Sequence, residues 1–224
     1  MPNAPYWMRL RQFVHTHKAL VLLGFVVPWA VFGALAWVVT KVGHFVVDEP
    51  GLLFFHRHAT PWLDRFAVFL TIIGHTGPMI GVGVVTTAVL WWQKRRLLAW
   101  AFAVSVGGSM LLTQVLKPLL GRARPDLWTS IRPEKTLSFP SGHAMDTAAI
   151  AAALAFVLWH YRARWPAWVL APLFAVGVGW ARMYLGVHYP SDVLAGWCSA
   201  VGWVVGIQVL FAPVLEAENG PFRA

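Results

Sequence analysis

Cysteine and negative charge are the two things this chain has least of. Of its 224 residues, one is cysteine and nine are Asp or Glu. A single thiol, Cys198, excludes an internal disulfide framework and a cysteine metal centre. It lies inside an apolar run, so redox compartment is not legible from it. Carboxylates this sparse do not make a convincing magnesium cage, which needs several oxygen ligands. Charged residues of both signs amount to 12%, against 58% hydrophobic. That balance lies outside the usage of soluble domains and is that of an integral membrane protein, here a single domain over residues 1–224. No internal repeat at a period of about 20–50 residues is present either, which excludes solenoids and propellers.

What the chain does have is positive charge and tryptophan. The net charge is +9, but the basic residues stand in short groups between apolar runs, with no basic stripe or nucleic-acid motif, which argues against nucleic acid as a partner. Fourteen tryptophans suit the interface belts of a bilayer better than a cofactor box. The partners expected are therefore the bilayer and a lipid, and the oligomeric state is not legible.

Apolar runs of hydrocarbon length predict six spans, at residues 19–40, 66–92, 97–116, 144–159, 165–180 and 193–215. The first follows Arg9, Arg11 and Lys18. Ala34-Leu35-Ala36 imitates a signal-peptide cleavage site, yet the run continues through Val39, so a retained anchor is the expectation. Residues 41–65 read as a polar connection or short interfacial helix carrying Asp48, Glu49, His56, Arg57, His58 and Asp64. The Gly77-Pro78 pair predicts a kink in the second span. The N-terminal basic residues, Lys94-Arg95-Arg96, Arg162 with Arg164, and Arg223 all fall on one face, which the positive-inside rule makes cytoplasmic, together with both termini.

By the same parity three clusters open on the opposite, outer face. They are K-P-L-L-G-R-A-R-P at residues 117–125, P-S-G-H at 140–143, and R-M-Y-L-G-V-H-Y-P-S-D at 182–192. Charge at a membrane edge is costly without a partner, and here the partner must be anionic. Arg124 and Arg182 offer planar forks to phosphate oxygens, and Lys117 a compact charge. Ser141 and Gly142 precede a span, so their backbone N–H groups are expected to face an anion at a helix N-terminus. Pro190 suits a first helical position, which puts Asp192 in the first turn, able to orient the ring of His188. His188 then has a nitrogen free to attack phosphorus, and His143 is placed to protonate the leaving oxygen. Each cluster alone also has a plainer reading, as snorkelling edge residues, a turn before a helix or an interfacial histidine. Their joint placement on one face favours the site. His44, His56, His58 and His75 read more simply as exposed interfacial histidines.

The clusters reproduce Lys-x6-Arg-Pro, Pro-Ser-Gly-His and Arg-x5-His-x3-Asp, and so the chain resembles the type 2 phosphatidic acid phosphatase (PAP2) and vanadium haloperoxidase superfamily, in its bacterial membrane lipid phosphatase branch. The resemblance implies an all-α bundle of six transmembrane helices in a bacterial inner membrane. It implies phosphate binding by Lys117, Arg124, Ser141, Gly142 and Arg182, with His143 as acid, His188 as nucleophile, Asp192 as its partner, and neither metal nor other cofactor. The substrate class it implies is undecaprenyl diphosphate, phosphatidylglycerophosphate or phosphatidate. Where the third motif often begins Ser-Arg, this chain has Ala181-Arg182. A phosphotransferase using the same intermediate is the alternative within the class. Soluble haloperoxidases fit the apolar spans poorly, and a non-enzymatic channel or transporter needs polar residues along a midplane path that this chain lacks.

Overall fold

Every apolar run in the sequence folds as helix, because a backbone in hydrocarbon must satisfy its own N–H and C=O groups. The computed structural model describes residues 4–161 and 166–219, and among the described residues there is no strand. An amphipathic helix, α1 (Tyr6–Thr16), precedes α2 (Lys18–Val21), a π-helical turn (Leu22–Val26) and α3 (Val27–Lys41), which together make one continuous apolar run, Lys18–Lys41. Pro28 explains the π turn. A proline lacks the N–H and crowds the carbonyl four residues back, and widening the preceding turn accommodates both.

The polar connection contains a short helix, α4 (Asp48–Arg57). The expected second span is two helices, α5 (Pro61–Ile73) and α6 (Thr76–Trp92), meeting at 47°. The bend is not at Gly77-Pro78. It falls at Gly74 and His75, where α5 ends and the His75 Nδ1 caps α6 by accepting from the Gly77 N–H at 3.2 Å. Pro78 lies in the first turn of α6, where no intrahelical partner for its N–H exists and proline costs nothing.

Next come α7 (Arg96–Leu120), α8 (Gly142–His160), α9 (Pro166–Tyr184) and α10 (Pro190–Asn219). The runs Lys18–Lys41, Arg96–Leu120, Gly142–His160 and Pro190–Ala217 are each long and apolar enough to cross a membrane, and the bent α5–α6 pair counts as a fifth span. The apolar part of α9, Val169–Tyr184, is shorter. Arg162, Arg164 and Arg223, assigned by sequence to the inner face, and Trp165, at the start of the expected fifth span, lie outside the described residues.

Between lipid-soluble helices there is no hydrophobic driving force, so association rests on close packing of small residues and on internal hydrogen bonds. The centre of the bundle is accordingly α8, whose Ala144, Ala148, Ala149, Ala151 and Ala153 are all buried. Of its apolar window 61% is buried, against 11% for the first span. It packs against α6, α7, α9 and α10. Gly196 brings α10 onto the start of α8, where a Cβ would stand 2.8 Å from the Ser141 carbonyl oxygen. Several hydroxyls inside the bundle donate to carbonyls one turn back, as in Ser105 to Ala101, Thr147 to His143 and Ser199 to Ala195.

Candidate active site

The site is assembled from helix ends. Gly121, at φ 58°, closes α7 in the left-handed conformation, and its N–H returns to the Lys117 carbonyl at 3.0 Å. Lys117 is thus held in the last turn of α7 rather than in a loop. Arg182 likewise stands in the last turn of α9, which ends at Tyr184. Residues 121–141 then fold over the gap between these ends, α8 begins at Gly142, and α10 begins at Pro190 with Asp192 in its first turn.

His188 is buried at the bottom of this gap, 1% exposed. Its Nδ1 lies 3.5 Å from Asp192 Oδ2 and 3.3 Å from Ser138 Oγ, and the Ser138 hydroxyl donates to the same carboxylate oxygen at 2.5 Å. Its Nε2 lies 3.0 Å from Arg124 Nη1. A guanidinium only donates, so Nε2 is the acceptor and the ring proton belongs on Nδ1, facing Asp192. The ring's lone pair is on Nε2. Burial first, then the charges of Arg124, Arg182 and Lys117, hold this imidazole well below the ordinary histidine value of 6.5. The ring is neutral at pH 7.

Four buried polar atoms around the gap have no hydrogen-bond partner: Ser141 Oγ, His143 Nε2, and Nε and Nη1 of Arg182. Unmet polar atoms at this density, two of them guanidinium donors, are the environment an anion with several oxygens satisfies. Gly142 belongs to the same surface, since a Cβ there would sit 3.8 Å from Lys117 Nζ. One expectation needs correcting. The Ser141 N–H does not face an anion, because it donates to the Asp192 carbonyl at 3.0 Å and ties the start of α8 to α10. Ser141 can contribute only its hydroxyl. The His143 ring meets His75 edge to face at 5.2 Å, so His75 belongs to the site rather than to a dispersed interfacial set.

Behind the His188–Asp192 pair is a layer that sequence reading did not find. Arg122 Nη1 donates to Asp192 Oδ1 at 2.6 Å and to Ser191 Oγ at 2.7 Å, while Nη2 donates to Asp48 Oδ2 at 2.7 Å. Asp48 is wholly buried and also accepts from the Ser191 N–H at 3.1 Å. The Tyr189 ring lies 4.0 Å from the Arg122 guanidinium carbon. Arg122 stood in view inside the first cluster, but nothing in its spacing marked it. Asp48 is one carboxylate among three in a polar connection, and Ser138 is an ordinary serine near a proline. Ala181 is also accounted for. It is fully buried among Ala67, Leu70 and Val178, an apolar seat for a residue without a hydroxyl.

A cavity of about 730 Å³ lies between α6 and α7, lined by residues such as Gly83, Thr87, Trp91 and Met110, none of which titrates. The clustered titratable and cationic side chains are at the helix ends instead.

Residues 98–213 match the family model described as the PAP2 superfamily. The chain is 30% identical over 141 residues to phosphatidylglycerophosphatase B of Bacillus subtilis, covering 61% of this chain and 69% of that one. It is 29% identical over 186 residues to an undecaprenyl-diphosphatase of Sulfolobus acidocaldarius, covering 80% and 82%. The crystal structure of a transmembrane PAP2-type phosphatidylglycerolphosphate phosphatase from Bacillus subtilis superposes with a TM-score of 0.74 at 26% identity, over 82% of this chain and 93% of that one.

Proposed function

Because the chain belongs to the PAP2 superfamily, we propose that it is a multi-pass membrane phosphatase that removes the terminal phosphate of a lipid phosphate or diphosphate through a phosphohistidine on His188. The observation that carries the reading is the polarity of that ring: proton side on Asp192 and Ser138, lone-pair side on Arg124, with the unpartnered donors of Ser141, His143 and Arg182 around it.

In the first step the Nε2 lone pair of His188 forms an N–P bond while the P–O bond to the lipid breaks, and His143 gives its proton to the departing oxygen. In the second, His143, now a base, takes a proton from water as that water attacks phosphorus. The N–P bond breaks, its electrons return to Nε2, and inorganic phosphate leaves. Lys117, Arg124, Arg182 and the Ser141 hydroxyl stabilise charge on the three equatorial oxygens, which is most of what phosphoryl transfer requires. Asp192 stays ionised and balances the imidazolium character that develops on His188.

The substrate class is that of bacterial membrane relatives, a polyprenyl diphosphate, phosphatidylglycerophosphate or phosphatidate. Purified protein is expected to release inorganic phosphate from at least one member of a panel of these lipids. Transfer of phosphate to a second lipid with none released would establish the phosphotransferase instead.

The whole chain is read as one domain with six spans, the fifth in chain order being the short α9, and with the site on the outer face of a bacterial inner membrane and both termini cytoplasmic. Exposed Thr129 and Lys135 adjoin the site, and exposed Gln93 lies at the other end of the bundle. In a background with Cys198 replaced by alanine, cysteines at Thr129 and Lys135 are expected to react with an impermeant thiol reagent in intact cells, and one at Gln93 only after lysis. The reverse pattern would invert the topology.

A further inference from the structure

All three cations assigned to phosphate are turned onto one short stretch of the 121–141 loop. Arg182 Nη2 donates to the Glu134 carboxylate at 2.7 Å. Arg124 donates to the Thr136 carbonyl at 2.5 Å and to its hydroxyl at 2.9 Å, and Lys117 Nζ donates to that hydroxyl at 3.1 Å and to the Leu137 carbonyl at 3.2 Å. Glu134 differs from the others in bearing charge. Its carboxylate acts electrostatically on Lys117 and Arg124 as well as on Arg182, so it stands among the same three cations that a phosphate needs.

The two ends of this ion pair are unlike. The Arg182 side chain is fully buried, while that of Glu134 is 24% exposed. A buried guanidinium with no counter-charge is costly, so some anion must hold it when no substrate does. A carboxylate with one side in water can leave at small cost, because its charge is readily solvated outside the site. Arg182 also keeps two further N–H-bearing nitrogens, Nε and Nη1, buried and unpartnered. Glu134 therefore occupies one part of the fork and leaves the rest to receive an arriving anion.

Resting on the phosphatase reading above, we propose that Glu134 is a resident competitor for the phosphate: its carboxylate neutralises Arg182 between turnovers, yields it to the incoming phosphate, and takes it back as inorganic phosphate departs. It is a residue that sets anion affinity and product release, not one that makes or breaks a bond. Its position on the loop rather than on a helix end suits it to move without disturbing His188.

The test is inhibition by inorganic phosphate and by orthovanadate, which mimics the pentacoordinate state, in wild type and in Glu134→Gln and Glu134→Asp. The glutamine variant removes the charge and keeps the shape. It is expected to tighten both inhibitors about tenfold and to lower KM, with kcat reduced because product leaves more slowly; a tenfold change corresponds to about 1.4 kcal/mol. Glu134→Asp, which keeps the charge on a shorter arm, is expected to fall between. Inhibition of Glu134→Gln equal to or weaker than that of wild type would overturn the proposal, since it would make Glu134 a support for Arg182 rather than a rival to substrate. A wild type that neither anion inhibits would overturn the phosphate-site reading, and this proposal with it.

Discussion

His188→Ala is expected to lower kcat by on the order of 10⁴-fold or more, the scale on which loss of a positioned nucleophile acts in hydrolases. Labelled phosphate trapped on the protein in an acid quench should vanish with it. His143→Ala should keep the trapped label. It should also be milder toward an aryl phosphate than toward a lipid alcohol phosphate, because a better leaving group needs less protonation. Label on His143 in the wild type, or turnover near normal in His188→Ala, would sink the assignment. The same ring fixes the acid side of the pH profile. His188 attacks only when unprotonated, and its surroundings keep it so well below the ordinary value of 6.5. The acid limb of kcat/KM should therefore lie below pH 6.5, with activity retained as pH falls through that value and lost only when the ring finally protonates.

Arg122→Met should be nearly as damaging, for a different reason. The guanidinium is 5% exposed and lies between two carboxylates, Asp48 and Asp192, that are each 0% exposed. Removing it leaves both buried without their cation, and breaking one buried pair in this way typically costs about 3–5 kcal/mol. A large fall in thermal stability in detergent is expected, together with loss of activity as Asp192 loses the contact that fixes its orientation. Arg122→Lys separates the two effects. It keeps the charge and so recovers stability in part, but one ammonium does not reproduce the fork that reaches Asp192, Ser191 and Asp48 at once, and kcat should stay low. Adding Asp48→Asn to Arg122→Met should restore stability relative to Arg122→Met alone, as coupled neighbours do in a double-mutant cycle. Wild-type melting and turnover in Arg122→Met would show that the layer behind the dyad is idle.

Those two experiments also mark what the sequence made legible. Helices and their starts were readable where a residue type carries its own mechanism, as with Pro190 at the head of α10 and the apolar lengths of α7 and α8. Residues of the three clusters were readable because cations and histidines at membrane edges are anomalous there. The structure gathers Lys117, Arg124, Ser141, His143, Arg182, His188 and Asp192 around one gap. What could not be read were contacts whose partners are far apart in sequence and chemically ordinary. Asp48 and Arg122 are separated by 74 positions, and Ser138 becomes a bridge only once the loop folds over Asp192. Backbone donors are a further case. The sequence showed that Ser141 precedes a helix, but not that the Asp192 carbonyl claims its N–H. The bend at Gly74 and His75 was displaced from Gly77-Pro78 because proline in a first turn breaks nothing.

The pairing of Asp48 with Arg122 bears on how much of the chain can stand alone. The stretch matched to the family, residues 98–213, contains every residue assigned to the chemistry, yet it begins 50 positions after Asp48. A fragment cut at that boundary would carry the full catalytic inventory with Arg122 holding one carboxylate instead of two, and with α8 stripped of the cover that α6 provides. Catalytic content and structural autonomy thus have different boundaries here. The segment between the first two spans supplies the carboxylate that the matched region lacks, and any attempt to minimise or split this protein must keep it on the same side of the cut as Asp192.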